Sequence, residues 1–192
     1  MSRITLKVDV DTLRGTREGV PALQHLLDRH QAHATFLFSL GPDNTGRALR
    51  RVFRPGFLKK VSRTSVVEHY GLKTLSYGVL LPGPDIGKKA AAEMRAIANA
   101  GHECGIHTWD HVEWHDQVRT RDAAWTLQRM QQSYDRFGDV FGHAPATHGA
   151  AGWQMNETAI RQLDAWGIQY ASDGRGAAPY FISINGQPCQ HM

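Results

Sequence analysis

Ile4, Leu6, Val8 and Val10 alternate with Thr5, Lys7, Asp9 and Asp11 at the start of the chain. A period of two predicts a strand from Ile4, with one apolar face and one face carrying both acids. A helix is predicted over 17–30, with Pro21 in its first turn and Leu23, Leu26 and Leu27 facing inward. HATFLFS, 33–39, reads as a second strand. An irregular stretch punctuated by Gly71, Gly78, Pro82, Gly83 and Pro84 runs to about residue 85. DIGKKAAAEMRAIANAG then predicts a helix closed by Gly101, and HECGIHT a third strand. Residues 122–138 predict a helix with Ala124, Leu127, Met130, Tyr134 and Phe137 on one face. HAPATHGAAG can hold a short fourth strand. NETAIRQLDAWG predicts a helix between Asn156 as N-cap and Gly167 as stop, and IQYASD a fifth strand. No clear element follows.

Strand and helix alternate, which predicts an α/β fold with a parallel sheet and helical crossovers. Chemistry in such folds gathers at the carboxyl ends of the strands. Asp9 and Asp11, His107 and Asp173 fall at three of those ends. The 192 residues fit one domain, with 41% hydrophobic and 21% charged residues as in a soluble globular protein. No run approaches the ~20 apolar residues that span a bilayer, and no signal peptide precedes Ile4, so the cytoplasm is the default location. Cys104 and Cys189 form no CxxC, which argues against a disulfide framework.

The formal charge of +4 is unevenly placed. RALRRVFRPGFLKKVSR, 47–63, holds Arg47, Arg50, Arg51, Arg54, Lys59, Lys60 and Arg63 among Leu49, Val52, Phe53, Phe57, Leu58 and Val61, with no acid. One reading is a solvated helical hairpin with its apolar side in the core. The other is a surface for anionic lipid or a phosphate-bearing substrate. No nucleic-acid-binding motif accompanies it.

GHECGIHTWDH, 101–111, places His107 and His111 four apart, a spacing that suits zinc or another borderline divalent metal if a helical turn follows the strand. Taken alone, such a pair is often surface histidine, and strand-end acids often only cap the next turn. Together, Asp11, His107 and His111 make a ligand set that leaves metal positions open, and Asp9 stands beside it as a candidate general base. Trp153 can line a sugar site or simply pack.

The blocks DVDTLRGTREGVP, FSLGPDNTGR, GHECGIHTWDH, AAGWQ and SDGRGAAP occur in an order that resembles the NodB-type polysaccharide deacetylase family, from residue 4 to about 180. Within that family the chain is most similar to deformylases of 4-deoxy-4-formamido-arabinose-phosphoundecaprenol. The resemblance implies a seven-stranded (β/α) barrel-like fold, of which about five strands are readable here. It implies Asp9 as catalytic base; Asp11, His107 and His111 as ligands of a divalent metal, zinc first; and Asp173 with Arg175 as supporting residues. It implies a lipid-linked amino-sugar substrate at the cytoplasmic face of the inner membrane, in lipid A modification. A de-N-acetylase of chitooligosaccharide or peptidoglycan is the alternative substrate reading, and a non-catalytic family member the alternative class. Two departures stand out. Gln154 occupies the place of an arginine in the relatives. The chain also stops at GQPCQHM, before the strands and the acid-donating histidine that the family carries, and His191 lacks that histidine's strand context.

Overall fold

A computed structural model describes residues 4–48 and 70–192. The basic segment therefore lies outside the described residues, apart from Arg47 and Ala48. Five parallel strands lie in the order β1-β2-β3-β4-β5: β1 Lys7–Val10, β2 Thr35–Ser39, β3 Glu103–Thr108, β4 Thr147–His148 and β5 Tyr170–Ala171. The helices between them are α1 Val20–Arg29, α2 Leu72–Ser76, α3 Ile86–Lys89, α4 Ala91–Asn99, α5 His111–Gln117, α6 Ala123–Phe141 and α7 Glu157–Ala165. A π-helical turn, Gly15–Gly19, leads into α1.

The helices start where short acceptors allow. Asp85, Asp110, Asp122 and Asn156 each take a backbone N–H of the first turn, which satisfies donors the helix cannot pair internally. The expected stops hold at Gly101 and Gly167, both with positive φ. The main core packs Val10, Phe36, Phe38 and Ile106 of the sheet against Leu27 of α1, Met94 and Ile97 of α4, and Phe137 and Val140 of α6. A second cluster joins Trp114 and Val118 to Met130, Ala159, Leu163 and Ile168. On the other face of the sheet, Glu103 reaches sideways to the hydroxyls of Thr35 and Thr147, tying three strands together.

Several details depart from the pattern reading. β1 starts at Lys7, and Ile4 and Leu6 are exposed, because strand pairing to β2 begins only at Lys7↔Thr35. The predicted 85–101 helix is two, broken at Ala90, whose ψ of 23° leaves the helical range. Leu26 and Leu127 are exposed, as is Ala124. On α6 the buried stripe is Thr126, Met130, Ser133, Phe137 and Val140, so two small polar residues hold places that hydrophobicity alone would deny them. An antiparallel pair, β6 Ser183–Ile184 and β7 Gln187–Pro188, follows β5 where no element is predicted. Asn185 and Gly186 turn it, both with positive φ, as a two-residue hairpin loop requires. Among the described residues no helix is long and apolar enough to cross a membrane.

Gly105 sits in β3 where the backbone of β4 comes closest. A Cβ there would lie 2.5 Å from the Thr147 carbonyl oxygen and 2.8 Å from Leu37 Cδ2. Gly105→Ala should therefore destabilise the fold by about 1–3 kcal/mol, read as a lower midpoint in thermal unfolding.

Candidate metal centre

The carboxyl ends of β1, β3 and β4 bring the predicted residues together. Asp11 follows β1, His107 lies near the end of β3, and His111 opens α5. Asp11 Oδ1 lies 3.2 Å from His107 Nε2, and Asp11 Oδ2 lies 3.6 Å from His111 Nε2. One ligand atom from each of the three lies within 4.8 Å of the others. The two imidazoles stack with centroids 5.3 Å apart. His107 Nδ1 donates to the Gly149 carbonyl, which leaves Nε2 as the lone-pair nitrogen facing Asp11 in the neutral ring. Asp11 Oδ1 is buried and has no aligned donor. One carboxylate oxygen and two imidazole nitrogens converging on a buried, unsatisfied acceptor is a donor set that fits a borderline divalent cation.

The electrostatics agree. Burial alone would raise the pKa of Asp11, but the adjoining His107 and the charges of His111, His107 and Lys7 outweigh it and hold the carboxyl at about 2. Burial likewise favours neutral His107, yet Asp11, Asp9 and the Gly149 carbonyl together raise its pKa. In the metal-free protein the Asp11 contribution to stability is present above its ordinary 3.8 and is lost as pH falls towards 2. The His107 contribution is full below its ordinary 6.5 and is lost as pH rises through the raised value.

Asp9 points from β1 towards the same rim, with Oδ1 4.0 Å from His107 Nδ1 and Oδ2 3.1 Å from Lys7 Nζ. A cavity of about 500 Å³ beside the acids is lined by Asp9, Asp11, Thr12, Arg14 and Tyr70 among others, a size suited to a sugar head group. Trp153 is partly exposed and has a φ of 53°, a left-handed conformation that a bulky residue adopts only when its surroundings enforce it. The Arg175 guanidinium carbon lies 3.9 Å from the centroid of its ring. Gln154 turns its amide back to the Gly152 carbonyl, away from Asp9.

Asp173 touches none of the three candidate ligands. It is buried and accepts from His148 Nδ1 at 3.0 Å and from the Ala150 N–H. Its burial would raise its pKa, but His148, the Ala150 N–H and His191 hold it below the carboxylate range. It thereby fixes the 148–150 turn, and that turn supplies the carbonyl that orients His107. His191 is fully buried, with Nδ1 2.6 Å from Asp164 Oδ1. Arg47 binds the Gly78 carbonyl and lies 3.9 Å from Asp110.

GPDN, 41–44, does work that the pattern does not reveal. Asp43 Oδ2 accepts the Leu13 N–H, two residues past Asp11, while Asp43 Oδ1 holds Thr45. Asn44 Nδ2 donates to Asp110 Oδ2 at 2.6 Å, and Asp110 Oδ1 caps α5 at Val112 and Glu113. The loop after β2 thus braces the Asp11 loop and the helix that begins at His111. The one available signal was a run of hydrogen-bonding side chains after a strand end.

The parallel α/β sheet carries on its carboxyl rim an Asp/His/His cluster that could hold a metal ion. The family profile described as polysaccharide deacetylase matches residues 3–171, and the chain belongs to that family. It is 37% identical over 188 residues to a Shewanella sediminis protein named "Probable 4-deoxy-4-formamido-L-arabinose-phosphoundecaprenol deformylase ArnD", covering 98% of this chain and 62% of that one. A Wigglesworthia glossinidia brevipalpis protein of the same name is 32% identical over 168 residues, covering 87% and 58%. The chain thus spans about three fifths of the length of these curated relatives. Among solved structures it superposes on one named "Crystal structure of putative polysaccharide deacetylase from Mycobacterium smegmatis" with TM-score 0.57 at 18% identity, covering 87% of this chain and 49% of that one. It also superposes on a CE4 family pseudoenzyme of Bacillus anthracis with TM-score 0.52 at 12% identity, covering 87% and 41%. These likenesses show the fold, the barrel-like α/β deacetylase type, with five parallel strands here.

Two outcomes follow. Calorimetric zinc titration should show tighter binding at pH 8 than at pH 6, with proton release, because the cation displaces a proton from His107. Asn44→Ala should weaken zinc binding about 10-fold by freeing the Asp110 cap ahead of His111.

Proposed function

We propose that this chain is a metal-dependent hydrolase that removes the formyl group from a lipid-linked 4-formamido-arabinose. The observation that carries the reading is the Asp11, His107 and His111 cluster with Asp9 beside it on one rim. The names of its relatives supply the substrate class. Asp11, His107 and His111 would hold the divalent cation, zinc first, which supplies Lewis acidity when bound. Asp9 takes the proton of the attacking water and returns it to the sugar amine as the C–N bond breaks. The cavity beside the two acids receives the sugar; Trp153, with Arg175 on its ring, and Asp173 lie outside that cavity's lining and support the rim. Arg47, Arg50, Arg51, Arg54, Lys59 and Lys60, with the apolar residues among them, would meet the anionic cytoplasmic leaflet where such a substrate resides.

The zinc-loaded chain should release formate from the lipid-phosphate-linked formamido-sugar, and release acetate from the acetamido analogue more slowly. Asp9→Asn should cost about 10²–10⁴-fold in kcat. Asp11→Ala and His107→Ala should abolish turnover; unchanged formate release in both would refute the metal assignment. The membrane reading predicts co-sedimentation with vesicles containing anionic lipid that falls with added salt. Equal binding to neutral vesicles would contradict it.

A further inference from the structure

We propose that Lys7 is a positioning residue for Asp9: a buried ammonium that fixes the orientation of the candidate base from the same face of the same strand. The proposal rests on the hydrolase reading above, in which Asp9 is the base.

Lys7 and Asp9 are two apart on β1, so their side chains leave the strand on one face. Lys7 Nζ lies 3.1 Å from Asp9 Oδ2. Among the described residues, Asp9 is the carboxylate within ion-pair distance of this ammonium. Nζ is buried and makes no well-aligned hydrogen bond to Asp9, so the contact is an ion pair. A cation that has left water needs compensation, and it finds two sources. One is the Asp9 carboxylate. The other is the indole of Trp153, whose centroid lies 5.9 Å from Nζ. Trp153 is itself held by its left-handed backbone and by Arg175 stacked on its ring. The position of Lys7 is therefore set by strand, carboxylate and aromatic together.

The dependence runs the other way for Asp9. Its carboxylate is about one third exposed, and among the described residues no backbone N–H donates to it. The other ion-pair candidate beside it among the described residues is His107 Nδ1 at 4.0 Å, already committed to Gly149. Asp11 beyond it is anionic and repels it. Without Lys7, nothing described would hold the Asp9 oxygens in one orientation. The Gln154 amide is bonded to Gly152. Misplacing a reacting group by about 1 Å can cost 10²-fold in rate.

The test compares Lys7→Met and Lys7→Arg in the zinc-loaded chain. Lys7→Met should lower kcat about 10–100-fold with KM changed less than about twofold. Lys7→Arg should recover most of the loss. Zinc affinity should be unchanged or higher in Lys7→Met, because the lost charge had opposed the cation. A purely structural role would instead lower zinc affinity and the melting temperature together and spare the kcat–KM split. A second measurement is independent of turnover. The Lys7 ¹⁵Nζ resonance should show slow proton exchange, and Asp9→Asn should shift it and speed that exchange. An unchanged kcat in Lys7→Met, or an ammonium signal indifferent to Asp9→Asn, would overturn the proposal. If the wild-type chain released no formate, the deformylase reading would fall, and the ammonium resonance would still decide for or against Lys7.

Discussion

Asp11 is a half-buried carboxylate with one oxygen enclosed, and the two imidazoles beside it are what let it stay charged there. His107 and His111 stand 3.2 and 3.6 Å from its two oxygens. A buried charge without such partners would neutralise or open the fold. Most of the polar architecture of the rim serves this arrangement. Gly149 fixes the tautomer of His107, Asp173 and His148 fix the turn that carries Gly149, and Asp110 caps the helix that starts with His111. The parallel sheet matters because it delivers all of these from separate strands to one edge. The contacts that keep Asp11 charged in the metal-free protein involve the same donor atoms that a divalent ion would take over.

The three candidate ligands were legible because their signal is chemical and local. Two acids on the polar face of a strand, and two histidines four apart after another, stand out against any apolar pattern. Most of the strands were legible for a similar reason, being short apolar or β-branched runs between turn residues; β4, Thr147–His148, carried only a weak signal of that kind. What was not legible depends on contacts between distant segments. Asn44 meets Asp110 across 66 positions, and His107 meets Gly149 across 42. Nothing in either stretch alone announces its partner. In the sequence Lys7 is one polar member of an alternating strand; that its ammonium is enclosed shows only in the fold.

Other misses have their own physical causes. The break at Ala90 has no sequence punctuation, since alanine is the strongest helix former. Leu26 and Leu127 satisfy helical spacing yet face solvent, because periodicity gives a face and not the width that the sheet covers. Thr126 and Ser133 take buried places by bonding their hydroxyls to carbonyls one turn back, which lets polar side chains lie against the core. The Asn185-Gly186 hairpin did carry a signal, the dipeptide that favours positive φ at both turn positions, but its strands are only two residues each.

The family membership and the rim geometry support each other without repeating each other. The first comes from the order of sequence blocks and the second from distances among side chains. Both bear on one candidate metal site, Asp11 with His107 and His111. X-ray absorption on the zinc-loaded chain, together with anomalous diffraction from its crystals, tests that point most directly. The account predicts a single zinc at the carboxyl rim, with two imidazole nitrogens and oxygen donors at about 2.0–2.2 Å, and its loss in Asp11→Ala. Zinc held by sulfur from Cys104 or Cys189, or elsewhere on the chain, would contradict it.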